Sequence, residues 1–194
     1  MMERDKDAIA IIPAYNEAGT IHHVASRTLH YVERVVVVDD GSTDQTVSSL
    51  RELPVTVLRH ANNLGKAAAL RRGMQHAVAQ GATAIITLDG DGQHDPAAIP
   101  ALLAMHRRDP RAIVVAARRR HRHTIPRLRV LAQRIADFWI SLTAGCTIED
   151  SQSGFRLYPI SAWTAAGWPC DAASGFVFES EILIEAGRSG IPIR

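Results

Sequence analysis

The chain has 194 residues, 46% of them hydrophobic and 22% charged, with a net charge of +2. That is length for one domain with a sizeable core, and an ordinary soluble composition. No apolar run nears the ~20 residues of a transmembrane helix, the opening MMERDKD has no apolar segment of signal type, and Cys146 and Cys170 have neither metal spacing nor a disulfide pattern, so reduced thiols in the cytosol are expected.

Ala8 to Ile12 reads as a short buried strand, ending in Pro13-Ala14-Tyr15-Asn16-Glu17 and followed by a helical pattern through His30. Val35 to Val38, four valines, reads as a strand buried on both faces in a parallel sheet. It ends in Asp39-Asp40-Gly41-Ser42-Thr43-Asp44, with Ser42 or Thr43 as candidate cap of a helix to about Glu52. A third strand spans Val55 to Leu58, and Asn62-Asn63-Leu64-Gly65-Lys66 turns into an alanine-rich helix ending near Ala79, with Gly81 as its stop. A fourth strand spans Ala84 to Leu88, a helix Pro96 to Arg107, and a fifth strand Ala112 to Ala116. Strands and helices alternate at short spacing, the signature of an α/β layered domain with a mainly parallel sheet. No GxGxxG follows any strand, which disfavours a dinucleotide fold. Three strand ends carry acids: Glu17, Asp39 with Asp40, and Asp89 with Asp91. One crevice lined by these loops is the expected site.

The fourth of these strands ends in Asp89-Gly90-Asp91-Gly92-Gln93-His94-Asp95. Burying unpaired charge is costly, so both carboxylates belong at the exposed carboxyl end, where open α/β sheets bind ligands. The hard oxygens of Asp89, Asp91 and Gln93 suit Mg²⁺ or Mn²⁺ better than zinc, and Gly90 and Gly92 let backbone approach what the metal holds. An EF-hand reading fails, because His94 and Pro100 stand where glycine and glutamate are required. A phosphatase loop is a rival, with Gln93 where that class usually has threonine or valine. A loop that merely caps the next helix accounts for Asp95-Pro96 but not for Asp89 or Asp91.

Residues 107 to 134 hold ten arginines, no lysine and one acid, a charge of +9 against −7 for the rest. Such a segment is either a solvated helix face or a site for an anionic partner, and the absence of lysine favours planar recognition of phosphate. Ile125 to Ala144 reads as a helix with Leu128, Leu131, Ile135, Phe138 and Leu142 on one face, widened by Trp139 and Ile140. It either packs on the core or lies at a membrane surface, since it joins basic, aromatic and amphipathic character. Asp150 and a glycine turn precede a short strand, Ser161 to Ala166 reads as a short helix, Gly175 leads another helix to about Ser189, and Ile191 to Arg194 begins one more strand.

Together these motifs resemble the family 2 glycosyltransferases, in the branch of dolichyl-phosphate mannose synthases and bacterial polyprenyl-phosphate glycosyltransferases. The matching residues are Pro13-Ala14-Tyr15-Asn16-Glu17, Asp39 through Asp44, Asn63-Leu64-Gly65-Lys66, Asp89 through His94, Ala117-Arg118, and Asp150 through Arg156. The resemblance implies a single GT-A domain over 1–194, an α/β/α fold with a nucleotide-sugar part at about 8–117 and an acceptor part at about 118–194, in a family whose members often continue further. It implies that Pro13, Tyr15, Glu17 and Asp40 hold the nucleoside, Asp89 faces ribose or metal, Asp91 and Gln93 take the metal, Arg118 contacts phosphate, and Arg129 faces the acceptor phosphate.

The expected activity is metal-dependent, inverting transfer of a hexose from a GDP- or UDP-sugar to a polyprenyl phosphate, at the inner face of the membrane and without nucleic acid. The residues agree independently. A departing nucleoside diphosphate needs a cation clamp, which Asp91, Gln93 and Arg118 can build, and Tyr15 offers a ring to a base or else packs in the core. Gly65-Lys66 at a helix start can approach phosphate, or Lys66 is a surface residue. A lipid phosphate is already anionic and needs no general base; a hydroxyl acceptor would need one, and Asp150 could serve, or could simply anchor its turn. A nucleotide-sugar-binding module without turnover is the reading outside enzymes.

Overall fold

The computed structural model describes residues 4–116, 127–165 and 177–194, and for 127–133, 164, 165 and 177 the backbone alone. Strands Asp5–Ala14 (β1), Val32–Asp39 (β2), Thr56–Arg59 (β3), Ala84–Thr87 (β4), Val114–Val115 (β5) and Arg156–Pro159 (β6) form one sheet. Helices are Ile21–Thr28 (α1), Lys66–Ala79 (α2), Ile99–Arg108 (α3), Arg127–Ala144 (α4), Ile160–Ala165 (α5) and Val177–Arg188 (α6). The sheet order is β3-β2-β1-β4-β6-β5. β3, β2, β1 and β4 run parallel, while β6 is antiparallel to both neighbours.

Period-2 alternation divides the core between two faces of this sheet. Ile9, Ile11, Val36, Val38 and Ile85 pack with Leu70 and Met74 of α2 and Ile182 and Leu183 of α6. Ala10, Ile12, Val35, Val37 and Ile86 pack on the other face with Ile21 and Val24 of α1 and Leu102 and Leu103 of α3. This is the expected three-layer arrangement. The chain builds β1, β2 and β3 in one direction, then returns to lay β4 on the other side of β1. A crevice opens at such a reversal, outside the carboxyl ends of β1 and β4.

Several boundaries differ from the sequence reading. Residues 43–52 form turns and one short 3₁₀ turn, Ser48–Leu50, instead of a helix to Glu52. Side chains here bond locally: Asp44 Oδ1 accepts from the Thr46 amide at 2.9 Å, and the Ser48 and Ser49 hydroxyls donate to the carbonyls of Gln45 and Thr46. Such bonds compete with a helical ladder. Ser42 and Thr43 therefore cap no helix. The fifth strand shrinks to Val114–Val115, with Ile113 bridged in parallel to Ile193, so the expected last strand is a single bridge. The helix after Asp95 opens as a 3₁₀ turn, Pro96–Ala98, with the Asp95 carboxylate accepting from the Ala97 amide as an N-cap. α2 ends where expected, Gly81 taking a positive φ of 69°.

The two readings of α4 divide around its circumference. Ala144 and Ile140 meet the core, and α6 approaches so closely that a Cβ on Gly187 would strike the Ala144 carbonyl. Ile135, Phe138, Trp139 and Leu142 are instead 51–62% exposed. The side chains of Leu128 and Leu131 lie outside the described residues. No helix among the described residues is long and apolar enough to cross a membrane. Cys146 is a free thiol; Cys170 lies outside the described residues.

Candidate active site

The loop after β1 is held from the loop after β2. Ser42 Oγ accepts from the Asn16 amide at 2.9 Å, Thr46 Oγ1 from the Glu17 amide at 2.8 Å, and Asn16 Oδ1 from the Thr43 amide at 2.9 Å. Asn16 needs this support, because its φ is 56°. The turn after β4 joins the assembly through Thr20, whose hydroxyl donates to the Gly90 carbonyl at 2.7 Å.

Asp40 is buried at the end of β2. Its Oδ1 meets His60 Nδ1 at 2.6 Å and accepts from the Leu64 amide at 3.0 Å; its Oδ2 accepts from the Gly65 amide at 2.7 Å. A buried carboxylate satisfied this fully fixes the start of α2 and hence the place of Lys66. Gly41 is required here: its φ is 76°, and a Cβ would come within 2.6 Å of the Asn62 carbonyl carbon. Asp39 turns away from the crevice; it is wholly buried, accepts from the Ser42 amide and pairs with Arg59 at 3.0 Å.

Asp89 stands opposite. Lys66 Nζ lies 2.6 Å from its Oδ1, and His94 Nε2 3.6 Å from its Oδ2. Burial alone would raise the Asp89 pKa; the neighbouring His94 ring and the Lys66 ammonium outweigh it and bring it to about 2. Burial likewise would lower the Lys66 pKa, but Glu179 and Asp89 hold it above the ordinary lysine value. Lys66 reaches Glu179 Oε2 at 3.3 Å. Asp91 Oδ1 accepts from the Gln93 amide at 2.9 Å, while the Gln93 side chain is exposed.

A cavity of about 390 Å³ opens between these loops, lined by Pro13, Ala14, Tyr15, Glu17, Asp40, Asn63, Gly65, Lys66, Ala69, Asp89, Gly90 and Asp91. The structure thus brings all eight residues expected to bind the donor (Pro13, Tyr15, Glu17, Asp40, Lys66, Asp89, Gly90 and Asp91) to one wall or another of it. Tyr15 is 44% exposed, so it does not pack in the core. Gln93 is not among the lining residues. Among the described residues no group of three or more His, Cys, Asp or Glu is arranged to hold a metal by itself.

Asp150 is buried, with φ 56°, and its carbonyl accepts from the Ser153 amide at 3.0 Å. Its turn leads to Gly154, whose backbone lies against the Asp89 carboxylate. Arg118 and the Arg129 side chain lie outside the described residues. His60 and Glu179 were not singled out from the sequence, and each serves a residue distant in the chain. His94 and Arg156 close two of the quoted motifs, but no role was read for either.

Residues 9–163 match the family described as glycosyl transferase family 2. The chain belongs to that family. This family 2 glycosyltransferase is 30% identical over 180 residues to UDP-N-acetylglucosamine–dolichyl-phosphate N-acetylglucosaminyltransferase of Methanococcus voltae, a match covering 81% of this chain and 71% of that protein. It is 25% identical over 197 residues to polyprenol monophosphomannose synthase of Mycolicibacterium smegmatis, covering 95% and 74%. Glucosyl-3-phosphoglycerate synthase from Mycobacterium tuberculosis, solved with Mn²⁺, uridine diphosphate and glucosyl-3-phosphoglycerate, superposes with a TM-score of 0.69 at 23% identity, over 98% of this chain and 68% of that one. The fold is GT-A, and the activity class is glycosyl transfer. The phosphatase and passive-binding readings fall with that membership.

Proposed function

We propose that this glycosyltransferase moves a hexose from a GDP- or UDP-sugar to a polyprenyl phosphate, by direct attack with inversion at the sugar carbon. The observation that carries the donor half is the cavity between the ends of β1 and β4, with an exposed ring, Tyr15, at the nucleoside residues and the Lys66–Asp89–Asp91 group beside them. The relatives from M. voltae and M. smegmatis, named for lipid-phosphate acceptors, support the acceptor half.

Mg²⁺ or Mn²⁺ fits this donor set. Such ions use one or two carboxylates together with substrate phosphates. Asp91 lines the cavity, and Asp89 stands beside it, held by Lys66 and His94. When bound, the ion would neutralise charge gathering on the leaving diphosphate. The chain's own residues do the rest: Tyr15 lies against the base, Asp40 and the loop after β1 hold the nucleoside, and Lys66 meets phosphate. Arg118 and Arg129 hold the acceptor phosphate against an anionic donor.

The acceptor is already an anion, so no general base is essential. Asp150, buried in a left-handed turn, then anchors the Ser151–Gly154 loop. Association of the enzyme with a membrane surface is supported by the exposed Ile135, Phe138, Trp139 and Leu142 of α4.

The test is a transfer assay with GDP-mannose, UDP-glucose and UDP-N-acetylglucosamine, polyprenyl phosphate and Mn²⁺. One donor is expected to yield a lipid-linked sugar, and chelation to stop it. No lipid product from any of these, or full activity of Arg129→Ala with none from a folded, donor-binding Asp150→Asn, rejects the reading in favour of a hydroxyl acceptor.

A further inference from the structure

We propose that Glu179 is a positioning residue of the donor site, holding the Lys66 ammonium against Asp89 so that its remaining N–H faces the cavity and takes a diphosphate oxygen of the donor. This rests on the nucleotide-sugar reading above.

An ammonium has three N–H donors in tetrahedral array and no acceptor. Two carboxylates engage Lys66 Nζ, Asp89 at 2.6 Å and Glu179 at 3.3 Å. Lys66 itself lines the cavity, so its third donor is the one available there. With Asp89 alone, the ammonium on its four-carbon stem is free to turn about a single contact. With two, its direction is set before a ligand arrives, which is what a site needs from its supporting residues.

Glu179 is suited to this by its rigidity. It is 5% exposed and lies in the first turn of α6. Its carbonyl accepts from Arg156 Nη1 at 2.6 Å. Arg156 is wholly buried and also donates to the carbonyls of Ser153 and Ser151, at 2.7 and 2.6 Å, and to the Tyr158 hydroxyl at 3.3 Å. One guanidinium therefore ties the first turn of α6 to the loop that abuts Asp89. The Glu179 carboxylate is then aimed across the domain at a residue 113 positions earlier. Its Oε1 is buried with no hydrogen-bond partner among the described residues. A helix-stabilising acid needs no such burial, since the first turn welcomes it in solvent. The arrangement makes sense if the carboxylate is there for Lys66.

Positioning and simple charge predict opposite signs. Removing a negative charge beside an anion site tightens anion binding by Coulomb attraction alone. Removing the residue that aims Lys66 weakens it. Calorimetry with uridine and guanosine diphosphates in Mn²⁺, and with the matching nucleosides, separates the two. Glu179→Gln is expected to bind the diphosphate about tenfold more weakly and the nucleoside unchanged, as for loss of one charge-assisted hydrogen bond. In a Lys66→Met background the same change is expected to add no further loss. Glu179→Asp, which keeps the charge but shortens the reach, should lose diphosphate affinity too, and it carries the test if Glu179→Gln does not fold. Diphosphate binding as tight as wild type or tighter in these variants, or equal loss for diphosphate and nucleoside, overturns the proposal. A wild-type protein that binds neither diphosphate instead overturns the donor reading on which it rests.

Discussion

Gly154→Ala puts the geometry around Asp89 to a direct test. A Cβ at Gly154 would stand 2.6 Å from Asp89 Oδ2, 2.8 Å from Oδ1 and 2.9 Å from Cγ. To regain an ordinary 3.4 Å contact the carboxylate must retreat by roughly 0.8 Å. It has little freedom to do so, being held by Lys66 on one oxygen and facing His94 on the other. Overpacking of this kind costs about 1–3 kcal/mol. At this chain length each kcal/mol lowers Tm by about 2–4 °C. The same shift breaks the 2.6 Å contact with Lys66, so diphosphate binding in Mn²⁺ is expected to weaken about tenfold. Gly73→Ala is the control: its Cβ would meet Ile11 Cγ2 at 2.5 Å and Val38 Cγ2 at 3.1 Å, in the core and away from the cavity. It should lower Tm comparably and leave binding by the folded protein intact. Melting curves and calorimetry on the two variants decide the matter. Wild-type affinity in Gly154→Ala, or equal loss of affinity in Gly73→Ala, refutes the reasoning.

Two further outcomes are expected of Asp89 and of α4. The folded-state pKa of Asp89, about 2, lies below the model-peptide value of 3.8, so its contribution is fully present above about 3.8 and is lost as pH falls through about 2. It amounts to about 2 kcal/mol at most; Asp89→Asn should flatten the fall in stability between pH 5 and 2, measured by urea unfolding, and an unchanged slope counts against the pairing. Flotation with anionic liposomes should be lost in Phe138→Asp/Trp139→Asp at high salt but kept by wild type, because insertion of apolar side chains survives screening. Wild-type protein that stays in solution at both salt concentrations removes the membrane role of α4.

Much of this could be read from the chain because local signals agreed with the fold. Alanine-rich sequence closed by Gly81 fixed α2, and runs of valine and isoleucine bounded by acidic turns fixed β1, β2 and β4. The cavity was legible for the same reason: carboxyl ends of parallel strands converge, so motifs after separate strands must meet. Residues 43–52 misled because serine, threonine and aspartate side chains there bond the neighbouring backbone and the loop after β1, defeating a plausible helix. Asp39 and Asp40 look equivalent in sequence, yet strand alternation sends one to Arg59 and the other to the crevice wall. Glu179 carried no sequence signal at all, and Arg156 only its place at the end of the Asp150–Arg156 motif. Their roles come from contacts across more than a hundred residues, or to carbonyls, which any residue possesses. The helical period of α4 was clear, but which of its apolar residues stay in solvent depended on how much of it α6 covers.

The position of β6 has a consequence for how the protein is made. β4, with all four of its residues buried, pairs with β1 on one side and with β6 on the other. Residues 156–159 emerge from the ribosome about seventy residues after β4, and among the described residues β6 is the strand that pairs with β5. Until then a nascent chain carrying β1 to β4 presents Ala84–Thr87 as an open apolar edge, the kind of surface that pairs with other chains. β6 thus acts as a late closure on the side of the sheet that bears the metal-ligand candidates. Ribosome-stalled chains ending before residue 156 would be the ones that need a chaperone.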